Sequence, residues 1–218
     1  MAKKKTVSKN DIITFYMDYV LEHDHDPKTV FAFAKMNNFE EAKFYEHFAS
    51  FEAIEKGIFE AFFSNSVNVL NKSEDYKIFD ARNKLLSFYY TFFENLTANR
   101  SYVKHVLDKY KGDLKGLKIL SGLKHHFTHY VSDLGIQMLD IKQDQIEKIQ
   151  DRALKESAWF QLLLTMKFWL DDTSASFEKT DIFIEKSVNT TFDVLDVAPL
   201  KSVIDLGKFL FKEKFQMN

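Results

Sequence analysis

The sequence of 218 residues has no cysteine, only two prolines and only six glycines. Without cysteine there can be no disulfide, thiolate metal site or thiol nucleophile, and the chain suits a reducing compartment. Proline and glycine are disfavoured inside helices, whereas turn-rich β architectures need them. Their scarcity therefore points to an all-α fold. No apolar run approaches the roughly 20 residues of a membrane span. The opening MAKKKTVSKND carries lysines like those of a signal peptide, but no apolar stretch follows them. Net charge is only −2, so the protein as a whole has no drive towards nucleic acid or an acidic membrane. There is no glycine-rich phosphate loop, and no acid pair or serine–histidine arrangement that the sequence alone assembles. The expectation is a non-enzymatic, soluble, cytoplasmic protein without a cofactor.

Apolar residues, by contrast, are plentiful. They make up 45% of the chain, and 23 residues are phenylalanine, enough for a large core and for lining a cavity. Their periodicity and the polar breaks between them predict about ten helices. Ser8 and Asp11 have capping-box spacing ahead of IITFYMDYVL, which places a first helix over about 9–23. Pro27 closes EHDHDP. A short second helix follows through TVFAFA, and NNF is a break in which Asn38 can take the left-handed turn conformation. A third short helix reaches about Tyr45, and Ser50 caps a longer fourth. Later helices are expected through FDARNKLLSFYYTFFENL and SYVKHVLDKY, and over about 117–139, 144–170 and 177–197. A last amphipathic segment follows Pro199.

The first part of this pattern resembles the TetR family of bacterial transcriptional regulators, most clearly over residues 12–54. Thr29, Phe33 and Ala34 of TVFAFA match that family's second helix. FYEHF, residues 44–48, matches its aromatic pair, histidine and phenylalanine, and Ser50, Glu52 and Ile54 match the start of its fourth helix. The resemblance implies a three-helix helix-turn-helix domain over residues 1–50. It implies an effector-binding and dimerisation domain over 51–218, and double-stranded operator DNA as a partner. Lys9, Thr29, Lys43, Tyr45 and His47 are the candidate DNA contacts, with Thr29 and Tyr45 suited to phosphates. His47 is equally suited to packing and capping.

The pattern departs from the family in its charges. Glu40 and Glu41 stand where serine or threonine and a polar or basic residue are usual, and Phe51 stands where lysine is frequent. Residues 1–50 hold seven lysines and eight acids, so the head is not basic. Acids at a helix start favour its folding but repel phosphates. Lys3, Lys4, Lys5 and Lys9 form either a compensating arm or a solvated tail.

In the body, Phe88, Tyr89, Phe92, Phe127, Tyr130, Trp159, Leu163 and Met166 are candidates for lining a site for a small apolar or lipid-like effector. An aromatic stripe at helical spacing also describes plain core. Residues 159–197 are the expected homodimer interface, with Phe177, Ile184, Val188, Phe192 and Leu195 at helical spacing. His125 and His129 share a helical face, but no third ligand accompanies them, so no metal site is expected. The segment after Pro199 can pack on the body or lie on lipid. The second possibility resembles a divergent branch of the TetR fold, a lipid-binding accessory protein of ubiquinone synthesis. The sequence thus supports a TetR-like regulator, with a lipid-binding protein of the same fold, membrane-associated through its last helix, as the alternative.

Overall fold

The computed structural model describes residues 6–111, 118–136 and 144–196, and among these it is helical without strands. Ten α-helices follow in order: α1 Lys9–His23, α2 Val30–Met36, α3 Glu41–Tyr45, α4 Phe51–Leu70 and α5 Glu74–Ile78. They continue as α6 Ala81–Ala98, α7 Arg100–Lys109, α8 Ser121–Asp133, α9 Asp144–Asp171 and α10 Glu178–Asp196. A 3-10 turn, Ala175–Phe177, precedes α10. The lysines at positions 3–5 and the amphipathic segment after Pro199 lie outside the described residues.

Helix starts follow the local chemistry of the sequence. Ser8 Oγ accepts from the Asp11 amide at 3.2 Å while Asp11 Oδ2 accepts from the Ser8 amide at 2.9 Å, closing the expected capping box. Thr29 caps α2 and Ser50 caps α4. Ser73 caps α5, a short helix that begins within the polar stretch NKSEDY, between the helices expected from the sequence. The helix expected over 117–139 is shorter, ending at Asp133. Gly135 then turns the backbone with φ 64°, a conformation glycine adopts at no steric cost.

The chain packs as two units, Met1–Lys72 with Thr91–Phe127, and Ser73–Tyr90 with Thr128–Asn218. The first unit has an aromatic core centred on fully buried Phe33. Its ring meets Tyr16, Tyr19, Phe39, Phe44 and Phe51 at centroid distances of 5.7–6.4 Å, all edge-to-face. Phe33 thereby binds α1, α2, α3 and the start of α4 into one body. Gly57 on α4 lets the Phe48 ring approach: a Cβ there would sit 3.0 Å from Phe48 Cε1.

One buried charge shapes this unit. Glu55, 1% exposed, takes Lys109 Nζ at 2.9 Å and the Tyr16 hydroxyl at 2.9 Å on Oε1, and the Tyr110 hydroxyl at 2.7 Å on Oε2. Asp26 joins through Lys109 at 2.6 Å and Tyr16 at 2.9 Å. Burial disfavours the Lys109 ammonium, but hydrogen bonds and charge from Asp26 and Glu55 outweigh that and hold its pKa above the ordinary range. Burial, then the bond to Glu55 and its charge, pushes the Tyr110 phenol up to about 12.

In the second unit α9 packs on α10. Phe168 stacks on Phe183 at 4.6 Å, and Gln161 bonds Ser187 and Thr191. The turn before α10 is closed by Asp172, whose carboxylate accepts from the amides and hydroxyls of Ser174 and Thr180 at 2.7–2.9 Å. Burial opposes the charged form of Asp172. Those four bonds prevail and hold the carboxyl well below its ordinary value of 3.8.

Lys109→Met is expected to destabilise the protein by about 2 kcal/mol, less than for a fully buried pair because Lys109 is 29% exposed. A Lys109→Met, Glu55→Leu double variant should lose less than the sum of the two single changes in urea melts. Simple additivity would show the pair uncoupled. A folded-state pKa depressed at Asp172 means its contribution is full above pH 3.8 and fades as pH falls towards the folded value. The Tm gap between wild type and Asp172→Asn should therefore narrow on acidification below that point. A gap that stays constant there would mean the carboxylate carries no pH-linked stability.

Candidate nucleic-acid interface

The shape of the head follows from three short-range devices. Pro27 is buried at the entry to α2, and Thr29 Oγ1 accepts from the Ala32 amide at 3.1 Å to start the helix. After α2, Asn38 takes φ 55°, and the Phe39 amide bonds back to the Ala34 carbonyl at 3.0 Å. That turn redirects the chain into α3, which buried Phe44 seats against Phe33, Phe48 and Phe51. The helix-turn-helix expected from the sequence is thus held from beneath by aromatic rings.

The candidate DNA contacts differ in how free they are. Thr29 is exposed; its oxygen already caps α2, leaving the hydroxyl proton for another acceptor. Tyr45 is 54% exposed, its ring edge-on to Phe44 at 5.4 Å. His47 is exposed beside Phe48, with ring centroids 6.5 Å apart. Lys9, the first residue of α1, places Nζ 5.5 Å above the Phe48 ring. Lys43 is committed within α3: its ammonium reaches both Glu46 oxygens, at 2.7 and 3.0 Å. The positive charge that the sequence seemed to offer the groove is therefore neutralised in place.

Sequence reasoning missed the charged cluster behind this head. A cleft of about 700 Å³ is lined by Asp24, His25, Asp26, Ser101, Lys104, His105, Asp108 and Lys109. Its lysines are paired within it, Lys104 with Asp108 at 2.6 Å and Lys109 with Asp26 at 2.6 Å, and His105 Nδ1 lies 3.1 Å from an Asp24 oxygen. Glu55 lies beneath, bonded to Lys109. One signal was available, because Glu55 falls four residues after Phe51 and four before Phe59, on the apolar stripe of α4. Its partners at 26, 109 and 110 are too remote in sequence to be read.

The expected effector residues are buried, apart from half-buried Tyr130 and Leu163. Phe88, Tyr89, Tyr130, Trp159, Leu163 and Met166 belong to the second unit, and Phe92 and Phe127 to the first. Phe88 and Tyr130 meet at 4.9 Å. The Tyr130 hydroxyl donates to the Lys84 carbonyl at 3.0 Å and lies 2.8 Å from the Tyr76 hydroxyl, so its polar group is engaged inside the protein. Of the expected dimer residues, Ile184 and Val188 are fully buried within the chain, while Phe177 and Phe192 are half-buried. Open apolar surface on the same two helices belongs to Phe160, Leu164, Ile182 and Val194, 45–66% exposed. His126 stacks on Phe63 at 5.7 Å, and among the described residues no group of three metal-ligating side chains gathers.

No curated protein matches the chain. Residues 84–210 match the tetracyclin repressor-like C-terminal domain. The matched stretch is more than half of the sequence, and it covers the body, where the sequence pattern alone showed little beyond helices. Together with the all-helical architecture of the described residues, this match places the chain in the TetR family.

Proposed function

We propose that the protein is a cytoplasmic, non-enzymatic, DNA-binding transcriptional regulator. In this reading residues 1–50 contact operator DNA, and the body binds a small apolar effector and pairs with a second copy. The observation that carries it is the α2–α3 head, capped by Thr29 and turned at Asn38. It supports a short helix with Tyr45 outward on a floor of buried phenylalanines. A recognition helix in the major groove needs such a rigid base and an outward face. Family membership supports the same reading for the body.

A second reading is favoured by one specific observation, the Lys43–Glu46 pair on an already acidic helix. It is a lipid-binding protein of the same fold with weak DNA affinity, membrane-associated through the segment after Pro199. Among the described residues no helix is long and apolar enough to cross a membrane.

For the dimer, α9 and α10 supply the open apolar surface. Phe160 and Leu164 are one helical turn apart on α9. Ile182 and Val194 add exposed apolar surface on α10. Burying such side chains against a partner contributes roughly 1.5–3 kcal/mol each.

Binding to duplex DNA from the promoter of the protein's own operon should weaken as salt rises. The log–log slope should be shallow, because acids outnumber lysines in residues 1–50. Glu40→Ser with Glu41→Lys should strengthen binding about tenfold at low salt and steepen that slope. Failure to bind even at low salt would remove the regulator reading and leave the lipid-binding one. Separately, a Phe160→Glu, Leu164→Glu variant should run as a monomer in light scattering at concentrations where the wild type is a dimer. A variant that stays dimeric would place the interface elsewhere.

A further inference from the structure

We propose that the outward face of α3 reads the C5-methyl groups of pyrimidines in the major groove, on thymine or on 5-methylcytosine, and not the edge of guanine. This rests on the DNA-binding reading above and specifies what that head recognises.

The argument begins with helix geometry. At about 100° per residue, Glu41, Tyr45, Ala42 and Glu46 fall in that angular order on one arc of α3. Buried Phe44 lies on the other side. Three of the four arc residues are exposed and Glu41 is half-buried. The arc therefore presents an aromatic ring and a methyl group between two carboxylates.

Major-groove edges require different partners. Guanine offers two acceptors, O6 and N7, and is read by donors, most often arginine or lysine. Residues 1–50 contain no arginine and no glutamine, and the lysine of α3 gives its ammonium to Glu46 at 2.7 and 3.0 Å. The arc itself has one donor, the Tyr45 hydroxyl. Adenine read through a bidentate amide is also unsupported, since no asparagine or glutamine lies on α3.

Beside that single hydroxyl, what the arc offers is apolar contact and hydrogen-bond acceptance. The Ala42 methyl and the Tyr45 ring match a C5-methyl group, the one apolar feature of the major-groove edge. Glu41 and Glu46 can accept from an exocyclic amino group such as cytosine N4. Thymine supplies the methyl beside its O4 acceptor, with the amino group on the paired adenine, whereas 5-methylcytosine carries the methyl and the amino group on one base. Contact with a methyl requires no positive charge, so this recognition works on a helix whose charges oppose phosphate binding.

The test uses the full-length protein and duplexes of about 30 bp with a randomised centre, long enough for two half-sites one helical turn apart. Sequences retained at low salt are resynthesised in three forms: with thymine, with deoxyuridine in its place, and with 5-methyldeoxycytidine for deoxycytidine. Loss of a contacted methyl should weaken binding about fourfold, the factor matching ~0.8 kcal/mol for a buried methyl-sized group. Weaker binding of the deoxyuridine form identifies thymine as the source. Tighter binding of the 5-methyldeoxycytidine form, with no effect of deoxyuridine, identifies methylcytosine. Equal binding of all three forms overturns methyl reading while leaving DNA binding intact, and retention of no duplex at low salt overturns both. Tyr45→Ser, at an exposed site, should bring the ratio between methylated and unmethylated forms towards one. An unchanged ratio would take the reading away from α3 and overturn the assignment.

Discussion

The first unit is organised around a carboxylate that has left water. A buried charge is tolerable only when compensated, because the interior cannot replace its hydration by polarisation alone. Glu55 therefore dictates its surroundings: an ammonium from the end of α7, a phenol from α1 and a phenol from just beyond α7. Asp26 brings a second carboxylate to the same lysine. One ammonium cannot neutralise two acids, so the Tyr16 and Tyr110 hydroxyls complete the shell. Each of these bonds fixes an element that hydrophobic packing alone would leave free to slide. The loop after α1, the first turns of α4 and the end of α7 are thereby held in one register.

That register matters because the head has two kinds of determinant which need not agree. Its shape comes from rings packed beneath the surface, with Phe33 at the centre and Phe44 seating α3. Its charge comes from side chains at the surface. Glu40 and Glu46 are exposed and are not among the rings that seat α3. A helix-turn-helix can consequently keep its geometry while its surface charge drifts away from phosphate recognition. Lys43 illustrates the point: its three-residue spacing from Glu46 lets the two exposed side chains pair locally, at 2.7 Å, instead of leaving the ammonium alone.

Legibility in the sequence followed the same division. The capping box at Ser8, the cap at Ser50 and the turn at Asn38 were readable because each depends on residues within a few positions of one another. α5 was not, because Ser73 caps a single turn of five residues inside a polar stretch, too short for periodicity to register. The Lys43–Glu46 pair was visible as a spacing, yet its consequence for the groove needed the exposed arc of α3. The network of Asp26, Glu55, Lys109 and Tyr110 was beyond reach, since its members are brought together only by the packing of α1, α4 and α7. The aromatic residues of the body were legible as buried, but sequence could not tell the engaged hydroxyl of Tyr130 from one facing a cavity.

The helices α9 and α10 show why helical spacing alone cannot identify an interface. Ile184 and Val188 share a stripe four residues apart and look like a contact surface, but both are consumed inside the chain. Ile182, two residues before Ile184, is half exposed, as is Val194 near the end of the same helix. A helix that packs inside its own unit and also meets a partner needs apolar residues over more than one stripe. A single amphipathic face then underestimates the apolar surface it requires. On α9, where WFQLLLTMKFWL is apolar around most of its circumference, Leu162 and Trp169 turn inward while Phe160 and Leu164 stay open. The apolar residues of this stretch thus exceed what its inward face consumes, and only the fold shows which of them stay open.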